Sequence, residues 1–413
     1  MLKTFSLSKG RLLLFSACVG VLGGLSSWAL IHSLDFATRE RYRNPGLFYL
    51  LPAVGLFIGW AYHRFGSSIK AGHNLILEAI HDPAREVPTR SIPFIFLGSV
   101  LTHFVGGSTG REGAAVQLSA AWAGQIARFF RVGPEEKRSL LVAGAGAGFS
   151  STIGTPLAGL VFGIEMVFSG PIRAMAILES LIACLFAMIT AHLLGTPHSR
   201  FPPLEAFVFE WHLPFFAASA GLLFGMIARL FLFLEHVLEQ IFGLIFRKPT
   251  VRGFAGGLLL LILFQLPGTL RYSGLGIESI QEAFRWPSSI LDPFAKTGFT
   301  ALSLASGFKG GEFVPLVFMG STLGSALAGM IGLSVSFFAA LGFASVFGAA
   351  SKTPLACAVM AAEIFGWKLF PYAWISCMAA YLASGSRSLY RAQVNSGSKL
   401  EGLARFCPKK ISF

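Results

Sequence analysis

Apolar residues fill this chain in long runs that polar residues only punctuate. The clearest are RLLLFSACVGVLGGLSSWALIHS (11–33), GLFYLLPAVGLFIGWAYH (46–63), PFIFLGSVLTHFVGG (93–107), AMAILESLIACLFAMITAHLLG (174–195), LPFFAASAGLLFGMIARLFLFL (213–234) and FAGGLLLLILFQLPG (254–268), with several more after Phe313. A helix needs about 20 apolar residues to cross a bilayer. Some runs reach that length. Others are shorter and broken by Gly, Pro or a charge, which predicts helices that enter the bilayer without traversing it. The expected fold is an all-α integral membrane protein.

Composition agrees. Of 413 residues, 54% are hydrophobic and 13% charged, whereas a soluble domain carries about 25% charged residues. The net charge of +13 fits Lys and Arg gathered on cytoplasmic loops and facing anionic lipid. No basic tract is interleaved with aromatics, so nucleic acid is not an expected partner. The five cysteines, at 18, 184, 357, 377 and 407, are scattered and mostly inside apolar runs; neither a disulfide framework nor a zinc site is indicated, and no cofactor or other metal site is implied. The run from Arg11 to Ser33 is too long for a signal-peptide core and lacks a cleavage site, so it reads as a retained helix.

Two halves of the chain resemble each other. GHNLILEAI matches GIESIQEAF, pairing Gly72, Glu78 and Ala79 with Gly276, Glu282 and Ala283. GREGAAVQ parallels GGEFVPLV, setting Gly110 and Glu112 against Gly310 and Glu312. TPLAGLVFGIE matches TPLACAVMAAE, so Pro156 and Glu165 fall on Pro354 and Glu363. These matches predict a first repeat over 1–203, a second over 204–392 and a basic cytoplasmic tail over 393–413. Lys3, Lys9 and Arg11 precede the first run, and Arg387, Arg391, Lys399, Arg405, Lys409 and Lys410 follow the last against Glu401 alone. Both termini therefore read as cytoplasmic. The junction, with Arg200 against Glu205 and Glu210, suits the outside, so the repeats are expected to be inverted, with tilted and partly re-entrant helices.

Inverted repeats with interrupted helices put a binding site near the bilayer midplane. Gly-rich turns opening into helices at Gly110 to Gly113 and Gly310 to Phe313 offer helix N-terminal N–H groups, which attract anions without any cationic side chain. Glu112 sits at such a start, and an intramembrane acid is a functional candidate; Arg111 reads as a brace for its loop. His73 and Asn74 open another helix and could cap it or face an ion. Glu165 and Glu363, each nine residues after a Pro, read as structural acceptors of backbone N–H groups or as proton relays. GGSTG also fits the nucleophile elbow of serine hydrolases, with Ser108 as nucleophile, but that elbow needs a preceding strand and FIFLGSVLTHFV does not alternate like one. Tyr390 suits an interfacial anchor.

Together GREGAAVQ, GGEFVP, GTPLAGLVFGIE and the late RSLY resemble the CLC family of anion channels and anion/proton antiporters, from about residue 60 to 392. The resemblance implies a homodimer in a cell inner (plasma) membrane, each subunit with its own pathway. It implies Glu112 as the gate that carries the proton, anion coordination around Gly113, Glu312, Phe313 and Val314, and Tyr390 lining the inner side. Typical chloride members have G-S-G-I-P where this chain has KAGHN, the Pro of G-R-E-G-P is Ala114, and Met166 follows Glu165 where many exchangers have a second acid. AIHDP, LTHFVGGSTGREG and GFKGGE are similar to the fluoride/proton antiporter branch, with His73 at the selectivity position and Val314 where that branch often has Thr. The expectation is fluoride export driven by inward protons, with a chloride or nitrate transporter or a passive channel on the same scaffold as the alternative.

Overall fold

The structure, a computed structural model, describes residues 2–69, 72–169, 175–204 and 211–394, without the side chains of 2–9 and 67. Among the described residues the fold is helical, without a strand. The first half carries α1 (Leu2–Arg43), α2 (Leu51–Phe65), α3 (His73–His81), α4 (Ser91–Phe104), α5 (Glu112–Phe129), α6 (Pro134–Ile153), α7 (Pro156–Glu165) and α8 (Ile177–Leu193). The second carries α9 (Leu213–Ile245), α10 (Pro249–Phe264), α11 (Ile277–Ala283), α12 (Asp292–Ala305), α13 (Phe313–Ile331), α14 (Val335–Ser351), α15 (Pro354–Phe365) and α16 (Phe370–Ala383). Long, short and mid-length helices recur in the same order, as the repeat predicts. Segments Gly10–Arg43, Pro45–Phe65, Leu213–Ile245 and Phe313–Ile331 are long and apolar enough to cross a membrane.

Sequence signals set the helix ends. Pro134, Pro156, Pro249 and Pro354 each stand first in their helices, where a missing N–H costs nothing and φ is already helical. Gly154, at φ 87, stops α6 in the left-handed region that only glycine enters without strain.

Small residues then let helices close on one another. A side chain on Gly148 would strike the Ala115 carbonyl, and one on Gly324 the Phe338 carbonyl, so α5 packs against α6 and α13 against α14 through backbone. Large apolar side chains such as Leu14, Leu193, Phe215 and Leu244 point outward, as a lipid-facing surface requires.

The halves meet through like elements: α2 on α10, α7 on α15, and the start of α5 near that of α13. At the α7–α15 contact the Glu363 carboxylate accepts N–H groups of Leu157 (3.0 Å) and Ala158 (2.7 Å) at the start of α7. Reciprocally, Glu165 accepts those of Leu355 (3.3 Å) and Ala356 (2.8 Å) at the start of α15. Each acid, at the end of its own helix, satisfies orphan donors and complements the dipole of the other. The structural alternative read from the sequence for these two acids is the one observed. Residues 395–413, most of the expected tail and including Cys407, lie outside the described residues, as do Glu205 and Glu210. Before them, Gln393 Nε2 donates to the carbonyls of Met166 (2.9 Å) and Ser351 (3.0 Å), which fastens the end of the second half to the first.

Candidate functional site

Two glycine-rich loops meet head to tail at the centre. Gly110 N–H donates to Gly311 O at 2.5 Å and Gly311 N–H to Gly110 O at 2.7 Å, an antiparallel pair. Two residues further on each loop becomes a helix, α5 at Glu112 after Arg111 and α13 at Phe313 after Glu312. These starts equate Glu112 with Phe313 and Arg111 with Glu312. The sequence match had paired the two glutamates, one residue out of step, because letters track side chains whereas a helix start tracks backbone geometry that Gly leaves open. The first intrahelical bonds are Ala115 N–H to Arg111 O and Leu316 N–H to Glu312 O. Gly113 and Ala114 on one helix, Phe313 and Val314 on the other, thus precede the bonded turns, and their N–H groups have no acceptor within their own helices.

Glu112 is 3% exposed. Arg111 Nε lies 3.2 Å from its Oε1 and Arg111 N–H 3.3 Å from its Oε2. Neighbours within a helix cannot face each other this way, but Arg111 precedes the helix and folds back. Its Nη2 also donates to Ser199 Oγ at 3.1 Å, so it braces the loop, as expected, and also pairs with the acid.

His73 opens α3, and its ring lies against α5: a Cβ on Gly113 would come within 2.8 Å of His73 Cε1 and 2.9 Å of Gly311 Cα. Gln117, one turn beyond Gly113, donates from Nε2 to His73 Nδ1 at 3.2 Å, and the His73 and Tyr390 rings stand 5.2 Å apart. Asn74 is tied to the chain's late segment, its Oδ1 accepting the Ala392 N–H at 2.9 Å. Phe313 packs edge-on to Phe347 at 4.7 Å and Phe149 at 5.6 Å, forming an aromatic wall.

Three cavities share these residues, outer, central and inner in the orientation that loop charge predicts. An outer one of about 20 Å³ is bordered by Arg111, Glu112, Ser199, Phe313 and Val314. A central one of about 10 Å³ is bordered by Glu112, Gly113, Glu312, Phe313, Phe347 and Tyr390. An inner one of about 330 Å³ is bordered by His73, Asn74, Gln117, Lys309 and Glu312. Glu112 and Phe313 border both the outer and the central cavity, and Glu312 both the central and the inner one.

Of the residues singled out from sequence, Glu112, Gly113, Glu312, Phe313 and Tyr390 converge on the central cavity. His73 and Asn74 face the inner one and Val314 the outer. Sequence reasoning missed Gln117, Ser199 and Lys309. Gln117 carried a usable signal, standing one helical turn after Gly113, whereas Ser199 and Lys309 arrive from separate loops. Ser108 is consumed structurally: its Oγ is 3.0 Å from Thr300 Oγ1, its N–H donates to Ser303 Oγ at 3.1 Å, and helix α4 precedes it rather than a strand.

Comparison with known proteins agrees. The family model described as voltage gated chloride channel matches residues 54–385. A "Chloride/fluoride channel protein" of Pseudomonas syringae pv. tomato is 39% identical over 387 residues, 92% of this chain and 86% of that protein. An "H(+)/Cl(-) exchange transporter ClcA" of Yersinia pestis is 26% identical over 419 residues, 92% of this chain and 86% of that protein. Among solved structures, a CLC-type fluoride/proton antiporter superposes with a TM-score of 0.90 at 33% identity, covering 94% of this chain and 98% of that one. With its paired helix starts, its match over most of the length and these relatives, the chain belongs to the CLC voltage-gated chloride channel family of membrane anion transporters.

Proposed function

We propose that this protein exchanges fluoride for protons, exporting fluoride as protons move inward, with Glu112 as both gate and proton carrier. The observation that carries this reading is the central cavity of about 10 Å³ bordered by Glu112 and Glu312. An ionised carboxylate and an anion cannot share it: at an effective dielectric of 20, two negative charges 4 Å apart repel by about 4 kcal/mol. A proton on the carboxylate removes the repulsion, so occupancy by anion and by proton are linked. Fluoride leaves its hydration shell at high cost, which strong preorganised donors must offset. The first-turn amides of α5 and α13 supply them, and His73, held by Gln117 at the inner side, screens what approaches.

The relatives support the ion and the coupling: one carries chloride/fluoride in its name and a structural neighbour is a fluoride/proton antiporter. We further propose residues 1–203 and 204–392 as inverted repeats, a homodimer in a cell inner membrane, and cytoplasmic termini. The test is efflux from proteoliposomes loaded with fluoride and chloride, read by ion-selective electrodes while external pH is followed. Fluoride release with proton uptake and little chloride movement is expected. Chloride release equal to or above fluoride would overturn the selectivity, and fluoride release without proton movement would make the protein a channel.

A further inference from the structure

We propose that Glu235, on the opposite half from Glu112, is the group through which protons leave Glu312 for the arginine-rich side of the molecule. The inference rests on the antiport reading above and adds the missing end of its proton route.

The need for such a group follows from what the acids of α7 and α15 are doing. Glu165 ends α7, but both its oxygens accept backbone N–H groups of α15, and Met166 beside it is fully buried. Glu363 is engaged in the same way at α7. A carboxylate that must stay ionised to hold two amides makes a poor proton shuttle. A proton that passes from Glu112 to Glu312 across the central cavity both border therefore needs another acceptor beyond Glu312.

Glu235 stands where that acceptor has to be. It borders the 330 Å³ cavity that Glu312 also borders. It borders as well a second cavity of about 320 Å³, lined by Tyr390, Arg391, Arg387 and His236. One turn along α9, Glu239 forms an ion pair with Arg391, both about half exposed. Both acids lie on one helix face and border the 330 Å³ cavity, but of the two Glu235 also borders the second cavity and Glu239 does not. Glu239 and Arg391 border the inner cavity too, and the other charged or titratable groups around it are Lys309, before α13, His73, on α3, and Tyr62, on α2.

The step is a proton transfer along cavity water. Protonated Glu312 gives its proton to a water chain whose far end protonates Glu235, leaving Glu312 anionic. Glu235 then releases the proton to bulk water past Arg391. No other reactant is consumed.

The experiment measures fluoride and proton fluxes together in proteoliposomes for the wild type, Glu235→Gln, Glu235→Asp and Glu235→Ala. Proton flux per fluoride is expected to fall at least about tenfold in Glu235→Gln, the scale of losing a positioned acid–base group, and to stay within about threefold in Glu235→Asp. Millimolar formate on the arginine side is expected to restore proton movement to Glu235→Ala, a rescue that a purely structural role would not produce. A coupled wild type with Glu235→Gln equally coupled overturns the proposal, as does an uncoupled Glu235→Ala that formate does not rescue. A wild type that moves fluoride without protons overturns the antiport reading itself, and Glu235 with it.

Discussion

Gly113 holds two contacts that no other residue leaves room for. The missing side chain lets the His73 ring and the Gly311 backbone close on α5, at 2.8 and 2.9 Å from where a Cβ would be. Gly113→Ala is expected to cost about 1–3 kcal/mol of stability by overpacking, and to lower fluoride flux at least tenfold, about 1.4 kcal/mol in the barrier, as His73 is pushed away; thermal unfolding and fluoride efflux check the two effects. Wild-type flux in a fully folded variant would remove the fit from the account. At this scale the sequence was legible where chemistry is local. An acid between glycines in an apolar run declares itself, and Glu112 did. His73 was legible as a helix opener, yet its partner Gln117 lies 44 residues away, and a contact between side chains on two helices leaves no periodic trace in either.

At the scale of elements, the crossed caps join α7 and α15 as a reciprocal pair. Replacing Glu363 or Glu165 by Gln keeps the shape and removes the charge that holds two amides at a helix start. Each substitution is expected to cost about 1–3 kcal/mol in thermal unfolding, since charge-assisted bonds at a helix N-terminus are among the stronger kind. Proton flux per fluoride, measured on the folded fraction, is expected to stay at the wild-type ratio; a loss of coupling would return these acids to the proton route. Helix starts at proline and the stop at Gly154 could be read from the letters because backbone sterics are local. The register of the second loop could not, since glycine admits several backbone paths and only the Gly110–Gly311 pairing selects one.

For the whole molecule, the like-on-like contacts of α2 with α10 and α7 with α15 describe a pseudo-two-fold relation, and inversion across the membrane follows if that axis lies in its plane. Arg200 and Ser386 follow the equivalent helices α8 and α16 and are both exposed. With Cys18, also exposed, replaced, an impermeant thiol reagent added outside is expected to label Arg200→Cys and not Ser386→Cys. Labelling of both from one side would refute the inverted arrangement. The repeat itself was legible, because three matched segments in one order survive in the letters. The inner vestibule was not, because it gathers residues from α3, α9 and the loops before α13 and after α16. The stitch between Gly110 and Gly311 has, finally, a mechanical consequence. Tilting one half against the other would shear two backbone bonds at once, each leaving polar groups whose burial costs about 1–3 kcal/mol. With that stitch kept through the cycle, the frame would stay still while side chains turn within it, more turnstile than rocker. Such a device would work by rotamer changes rather than by the slower swing of whole domains.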